Sequence, residues 1–376
     1  MKVERLRRYD YTILVAALAL VCIGIVMSYS ASCVLAQEKF GDPFHFIKRQ
    51  SLFALLGFLF MLAAMNLPYE RYRHLVYPAL VLSLGALVAV LIPSLAHQTA
   101  KVNRWISLGW FSFQPSEAAK LALVLYLAYS LAKKKERGTI KSFWVGFLPH
   151  VAVALLMMGL LLKEPDLGAA LVVGATCFLM MFLAGVRLVY MLLALVPGAL
   201  LLLSRLQGYQ LERIETFLRY FLAPWEATLK EAYHLKQSCY ALANGGFLGM
   251  GLGMGRQKLF FLPEPHTDFI IAVIGEEWGL LGISVVCLLF LVLIVGGAKI
   301  ALSIRDSFGS LLAMGIVILI GLQAVSNMAM AMGLLPTKGM VLPFVSYGGS
   351  SLVVNLTAVG VLIQLSTRAQ REGEAQ

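Results

Sequence analysis

Charge is what this 376-residue sequence has least of: Asp, Glu, Lys and Arg make up 14% of it. Residues 11–37, 51–69, 75–100, 142–162, 167–186, 278–298, 307–337 and 339–367 carry no charged side chain at all. A spanning helix needs roughly 20 mostly apolar residues, because hydrocarbon tolerates only internally bonded backbone. A soluble chain of this length has no core that would absorb so many uncharged runs, so a soluble globular protein is excluded. Residues 188–204 add a run of 17, and 118–132 an apolar stretch interrupted by Lys120. Counting both gives ten spans and an all-α polytopic membrane protein.

Cysteine is scarce too, at five. Cys22, Cys177 and Cys287 sit inside apolar runs, and pairing is open to Cys33 and Cys239, but no framework spacing or metal motif exists. A short apolar core followed by a small-residue cleavage site is also missing, so no cleaved signal peptide is expected. The whole chain, 1–376, reads as a single membrane domain with no soluble domain attached.

Orientation follows from Lys and Arg in the short loops. With the first residue inside, inner segments hold 16 of them, among them Arg71, Arg73, Lys133, Lys134, Lys135, Arg187 and Arg305. The short outer loops hold seven: Lys39, Lys48, Arg49, Lys101, Arg104, Lys163 and Lys338. Both ends are therefore expected in the cytoplasm, and ten spans agree in parity. The net charge of +11 is explained by topology and anionic lipid, without nucleic acid.

The one long connection, 205–267, falls on the outer side between spans seven and eight. Loops of that length in compact bundles usually carry function. Ile214, Phe217, Leu218, Phe221 and Leu222 form one helical stripe, which predicts an interfacial amphipathic helix over 211–225. A second helix is expected over 232–243. Residues 249–255 then hold Gly249, Gly251, Gly253 and Gly255. No strand precedes them, so they are not a dinucleotide fingerprint. They read either as flexible joints of a moving gate or as places where backbone packs tightly.

Four outer segments concentrate polar residues. The first is Asn103-Arg104-Trp105-Ile106 followed by Phe113-Gln114-Pro115-Ser116-Glu117-Ala118-Ala119-Lys120. Pro115 suits a first helical turn, and Glu117 and Lys120, at i and i+3, share a face. They form a structural ion pair or line a head-group pocket. The second is Lys163-Glu164-Pro165-Asp166-Leu167-Gly168, where Asp166 suits a helix cap and Lys163 and Glu164 are left to face a substrate. The third runs from Leu262-Pro263-Glu264-Pro265-His266-Thr267-Asp268-Phe269 to Gly275-Glu276-Glu277-Trp278-Gly279. Two prolines stiffen the approach to Asp268, either a cap or a base whose pKa burial at the apolar boundary raises. The fourth is Pro336-Thr337-Lys338-Gly339, then Ser346-Tyr347-Gly348-Gly349-Ser350-Ser351. Its small residues either let backbone N–H groups approach an anion or let helices pack closely.

Together with Ser28-Tyr29-Ser30-Ala31-Ser32, these motifs resemble, in order and over most of the chain, the SEDS family (shape, elongation, division and sporulation). The Ser-Tyr-Ser-Ala-Ser and Pro-Thr-Lys-Gly forms are more similar to its division branch than to its elongation branch. Trp278 and Pro265 depart from the usual pattern without touching an assigned role.

The resemblance implies an inverting peptidoglycan glycosyltransferase that polymerises lipid II during cell division and releases undecaprenyl pyrophosphate. It implies Asp268 as the catalytic residue. Arg104, Lys120, Lys163 and Lys338 become candidates for the pyrophosphate. Trp105, Gln114, Ser116, Glu117, Glu164, Glu264, His266, Ser346, Gly348 and Ser350 become candidates for the rest of the substrate. It further implies the bacterial inner membrane at the septum, a class B penicillin-binding protein and other division proteins as partners. No cofactor is fixed, although a divalent cation, Mg or Mn, would share the work at the pyrophosphate. A lipid II flippase and a non-enzymatic division scaffold are the competing readings. Polar motifs gathered at one face rather than at the midplane weigh against the flippase.

Overall fold

The structure, a computed structural model, describes residues 10–92, 96–99, 102–107, 112–205, 208–222, 233–337 and 339–374. In chain order they form α1 (Tyr11–Phe40), α2 (His45–Asn66), α3 (Tyr69–Val90), β1 (Ala96–Thr99), β2 (Val102–Ser107), β3 (Ser112–Phe113) and α4 (Pro115–Glu136). A π-helical turn, Phe143–Phe147, leads into α5 (Leu148–Lys163), followed by α6 (Leu167–Ala184) and α7 (Leu188–Arg205). The long connection contributes α8 (Gly208–Leu222) and α9 (Tyr233–Gly245) before α10 (Ile270–Ser303), α11 (Ser307–Ala331) and α12 (Gly349–Glu374).

Eight of these helices are long and apolar enough to cross a membrane: α1, α2, α3, α5 with its π-helical turn, α6, α10, α11 and α12. The chain is a multi-pass, helical membrane protein. The expected fourth and seventh spans correspond to α4, whose first turns carry Glu117 and Lys120, and to α7, whose apolar part is short.

The bundle is built around α4, α11 and α12, whose apolar residues are mostly buried. Leu52, Leu55, Leu59 and Phe60 of α2, Val81 and Leu82 of α3, and Val189 and Leu193 of α7 point outward. Large apolar side chains on the outside suit a bundle whose surroundings are hydrocarbon. Helices in lipid associate through close packing of small residues, and α2 with α12 shows how. A Cβ on Gly360 would stand 2.5 Å from the Met61 carbonyl, and one on Gly349 would stand 2.5 Å from the Phe53 ring.

Two boundaries differ from expectation. Helix α3 ends at Val90, and the uncharged residues beyond it include strand β1, which pairs antiparallel with β2; β2 pairs with β3. His97, Gln98 and Thr99 lack charge but are polar, so they leave the hydrocarbon all the same. Helix α10 begins at Ile270 rather than 278, with a non-helical residue, Gly279, inside it (φ 65°, ψ −160°). It admits Glu276 and Glu277 because both are fully buried and their oxygens are bonded to the preceding loop.

Candidate active site

The outer segments meet around the start of α10. Asp268 is not a helix cap, since Phe269 holds that position and α10 starts one residue later. A Cβ on Gly339 would lie 3.5 Å from Asp268 Oδ2 and 3.8 Å from Arg104 Nη1. A carboxylate and a guanidinium from segments far apart in the chain thus face one point.

Each partner is held from behind. Arg104 Nε donates to the Glu164 carbonyl at 3.1 Å, and Nη2 donates to the Pro165 carbonyl. The backbone of Asp268 is fixed by Asn327 of α11, whose amide nitrogen donates to the Asp268 carbonyl at 2.9 Å and to the Met340 carbonyl at 2.6 Å. One buried amide therefore joins the Asp268 segment to the Gly339 segment. The signal for it was a lone Asn in the apolar run 307–337, which sequence reasoning passed over.

Ser346 and Ser350 are occupied otherwise than expected. Ser346 Oγ donates to the Thr267 carbonyl at 2.5 Å and accepts from Leu342 N–H at 2.9 Å. Ser350 Oγ accepts from Gln114 N–H at 3.0 Å and donates to the Ser112 carbonyl at 3.4 Å. A Cβ on Gly348 would stand 3.3 Å from Val341. These residues close-pack the start of α12 and tie it to β3, α4 and the Asp268 loop. His266 is buried against Phe46 and Tyr347, at ring distances of 4.7 and 5.7 Å. Burial pushes its imidazole down to about 4, so it is neutral at pH 7.

Around α4 the ion pair is real: Lys120 Nζ lies 2.9 Å from Glu117 Oε1, with both side chains buried. The pair is incomplete, because Glu117 Oε2 and the neighbouring Ser116 Oγ are buried and make no hydrogen bond among the described residues. Asp166 caps α6, accepting from Ala169 N–H at 3.0 Å. Lys163 is exposed. Glu164, expected to face a substrate, is 1% exposed, and its backbone carbonyl accepts from Arg104. Trp105 and Gln114 are half-buried and Glu264 is exposed. Lys338 lies outside the described residues, as does Trp225 at the end of the expected amphipathic helix. Among the described residues no three His, Cys, Asp or Glu side chains converge as a metal cage.

The glycine run is held in place. Gly249, Gly251 and Gly253 have φ of 82°, 104° and 80°, a region that side chains rarely enter. A Cβ on Gly249 would stand 2.2 Å from the Glu277 carbonyl. Met250 and Gly251 donate their N–H groups to the carbonyls of Glu276 and Glu277, and Gly253 donates to Glu277 Oε2. Arg256 and Gln257 donate to Glu276 Oε1 at 2.9 and 3.2 Å. Lys258 pairs with Glu277 at 2.6 Å, and Ser30 of α1 donates to the same carboxylate at 2.7 Å. Close approach explains Gly249 and Gly255, and positive φ explains Gly251 and Gly253. Sequence reasoning gave Lys258, Ser30, Glu276 and Glu277 no role. All five cysteines are unpaired.

The sequence profile described as cell cycle protein, FtsW/RodA/SpoVE, matches residues 10–371. The chain is 46% identical over 370 residues to the probable peptidoglycan glycosyltransferase FtsW of Geobacter metallireducens, covering 98% of this chain and 97% of the relative. It is 42% identical to the stage V sporulation protein E of Bacillus subtilis, covering 95% and 96%. Among solved structures, one chain from work on the structural coordination of polymerization and crosslinking by a peptidoglycan synthase complex superposes with a TM-score of 0.78. That chain shares 30% identity, with 96% of this chain and 98% of that one covered. The rod shape determining protein RodA of Thermus thermophilus superposes at 0.70 with 29% identity, covering 95% and 96%. With the profile spanning nearly every helix described above, this chain belongs to the FtsW/RodA/SpoVE family of cell cycle proteins.

Proposed function

We infer that this chain is a peptidoglycan glycosyltransferase of the FtsW type, and that Asp268 is its general base. The observation that carries the reading is the meeting of Asp268 Oδ2 and Arg104 Nη1 over Gly339, at the end of an apolar bundle. The substrate is lipid II, whose isoprenoid lies in the membrane while its sugars reach the site. A sugar hydroxyl of one molecule attacks the anomeric carbon of another, lipid-anchored chain. The new C–O bond forms as the bond to pyrophosphate breaks, with inversion, and Asp268 takes the hydroxyl proton. Arg104, with Lys163 and Lys338 as further candidates from the sequence, stabilises the charge on the departing undecaprenyl pyrophosphate. A divalent cation, Mg or Mn, would be held largely by pyrophosphate oxygens, as Mg usually is. Ser116 and Glu117 Oε2 offer hydrogen-bonding capacity that no described residue uses.

In this reading the chain spans the membrane ten times with both ends in the cytoplasm, so that Asp268 faces outward. Its work belongs at the septum, beside other division proteins. The synthase complex that one structural relative comes from, in which polymerization and crosslinking are coordinated, supports a class B penicillin-binding protein as partner. The test is the purified chain given lipid II in detergent, with and without that partner and with and without a chelator. Glycan strands support the polymerase. Their absence under every condition, with lipid II crossing vesicles instead, overturns it in favour of a flippase.

A further inference from the structure

The turn between α5 and α6 holds a carboxyl group that neither the capping of α6 nor the transfer reaction uses. Both oxygens of Glu164 are buried and make no hydrogen bond among the described residues. The backbone of the same turn binds Arg104 through the carbonyls of Glu164 and Pro165. Those two bonds leave Nη1 directed at the point above Gly339 that Asp268 Oδ2 also approaches. One turn therefore contains the groups that orient Arg104 and a side chain able to compete for it.

A buried carboxylate with no donor is costly, and protonation removes most of that cost. Among the described residues the charged groups around Glu164 do not supply a donor. Asp166 is spent on the α6 cap, and Lys163 is exposed at the end of α5. On α4, which packs against α6 and β2, Glu117 and Lys120 are closed on each other. Arg104, from β2, is the cation whose field acts on Glu164.

We propose that Glu164 is a positioning residue that works as a neutral acid: protonated, it leaves the Arg104 guanidinium on the Asp268 side of the turn; ionised, it draws that guanidinium back and disarms the site. An ionised carboxylate is a stronger partner for guanidinium than two neutral carbonyls, more so away from water. Burial, with Asp166 beside it, pushes the Glu164 carboxyl up to about 8 against the pull of Arg104. Turnover therefore falls as pH rises through that value. The inference rests on the glycosyltransferase reading, in which Arg104 serves the leaving pyrophosphate.

Glu164→Gln has the shape of the neutral acid and cannot ionise. Two readouts on the full chain in one detergent decide the matter: lipid II turnover at pH 7 and pH 9, and infrared difference spectra of wild type against the variant. The expected ratio of the pH 9 rate to the pH 7 rate is about tenfold higher in Glu164→Gln than in wild type, following from a carboxyl that titrates near 8. The carbonyl band of a protonated acid should be present in wild type at pH 7, fade towards pH 9 and be missing from the variant. Equal rate ratios, or no such band at pH 7, overturn the proposal. So does a Glu164→Gln protein that fails to fold, because that side chain reproduces the state proposed as native. A wild type that makes no glycan at any pH sinks the glycosyltransferase reading instead, while the infrared band still reports whether Glu164 is neutral.

Discussion

At one end of α10, Asp306 caps α11 by accepting from Gly309 N–H at 3.0 Å, pairs with Arg73 at 2.8 Å and accepts from the Tyr69 hydroxyl. At the other end, 34 helical residues and about 50 Å away, stand Ser116 Oγ, Glu117 Oε2, Glu164, His266 Nδ1 and Asn327 Oδ1. All are buried, and all lack hydrogen-bond partners among the described residues. Buried polar groups are normally satisfied, so an accumulation of unspent ones needs a cause. The Asp306 end spends its charge on helix ends. The Asp268 end keeps part of its polarity in reserve, which is what a site awaiting a polar substrate requires. The same end also contains the fully spent cluster of Lys258, Glu277, Glu276 and Ser30, and unbonded neutral oxygens occur elsewhere, at Thr176 and Gln364 among others; what gathers at this end is the unbonded titratable groups of the described residues, Glu117, Glu164 and His266.

The largest expected effect separates spent from reserved polarity. Lys258→Met leaves Glu277 buried without its cation and should destabilise the protein by about 3–5 kcal/mol. Adding Glu277→Leu should recover most of that in thermal unfolding. No recovery would mean that Glu277 is held by backbone N–H groups and Ser30 alone.

Next comes His266. Its imidazole titrates near 4 in the fold and near 6.5 when unfolded, so the unfolded chain binds the extra proton in between. Stability is fully present above about 6.5 and falls by up to about 3 kcal/mol as pH drops towards 4. His266→Phe should flatten that decline. An unchanged slope would place the acid-labile group elsewhere.

Smaller again is the Glu117–Lys120 pair. Lys120→Met and Glu117→Leu should each reduce turnover about tenfold, and the double variant should stay low, on the proposal that Glu117 Oε2 and the ammonium serve the substrate. Restored turnover in the double variant would reduce the pair to structure. At the far end, Arg73→Ala should cost at most about 1 kcal/mol, since its partly exposed ion pair is screened by water. Glycan synthesis should be unchanged. A large loss of turnover would contradict the division of labour between the two ends.

The spans were legible because hydrocarbon excludes charge regardless of how helices pack, and charge-free windows need no tertiary information. The same criterion failed at 96–99, where uncharged but polar residues form a strand, and at Glu276 and Glu277, whose charges enter a helix because a distant loop satisfies them. Asp166 as a cap and Glu117 with Lys120 as a pair were legible because both are local, within three residues. Asn327, Ser30 and the Arg104 clamp were not, because their partners come from segments far away in the chain. Glycine density at 249–255 left two readings open, and it takes the distant Glu277 backbone to show that Gly249 serves close packing.

The central claim is that reactive chemistry sits at the reserved end with Asp268 as base. Turnover of lipid II by purified Asp268→Asn, beside wild type at matched membrane insertion, tests it most directly. Asn keeps the size of the side chain, and its backbone carbonyl still accepts from Asn327, so the change isolates the charge. The account predicts no glycan strands from Asp268→Asn with thermal stability within about 1 kcal/mol of wild type, as expected for an isosteric change at a half-exposed position. Glycan synthesis at the wild-type rate would contradict it and shift the search for the base to Glu264, the exposed carboxylate four residues upstream.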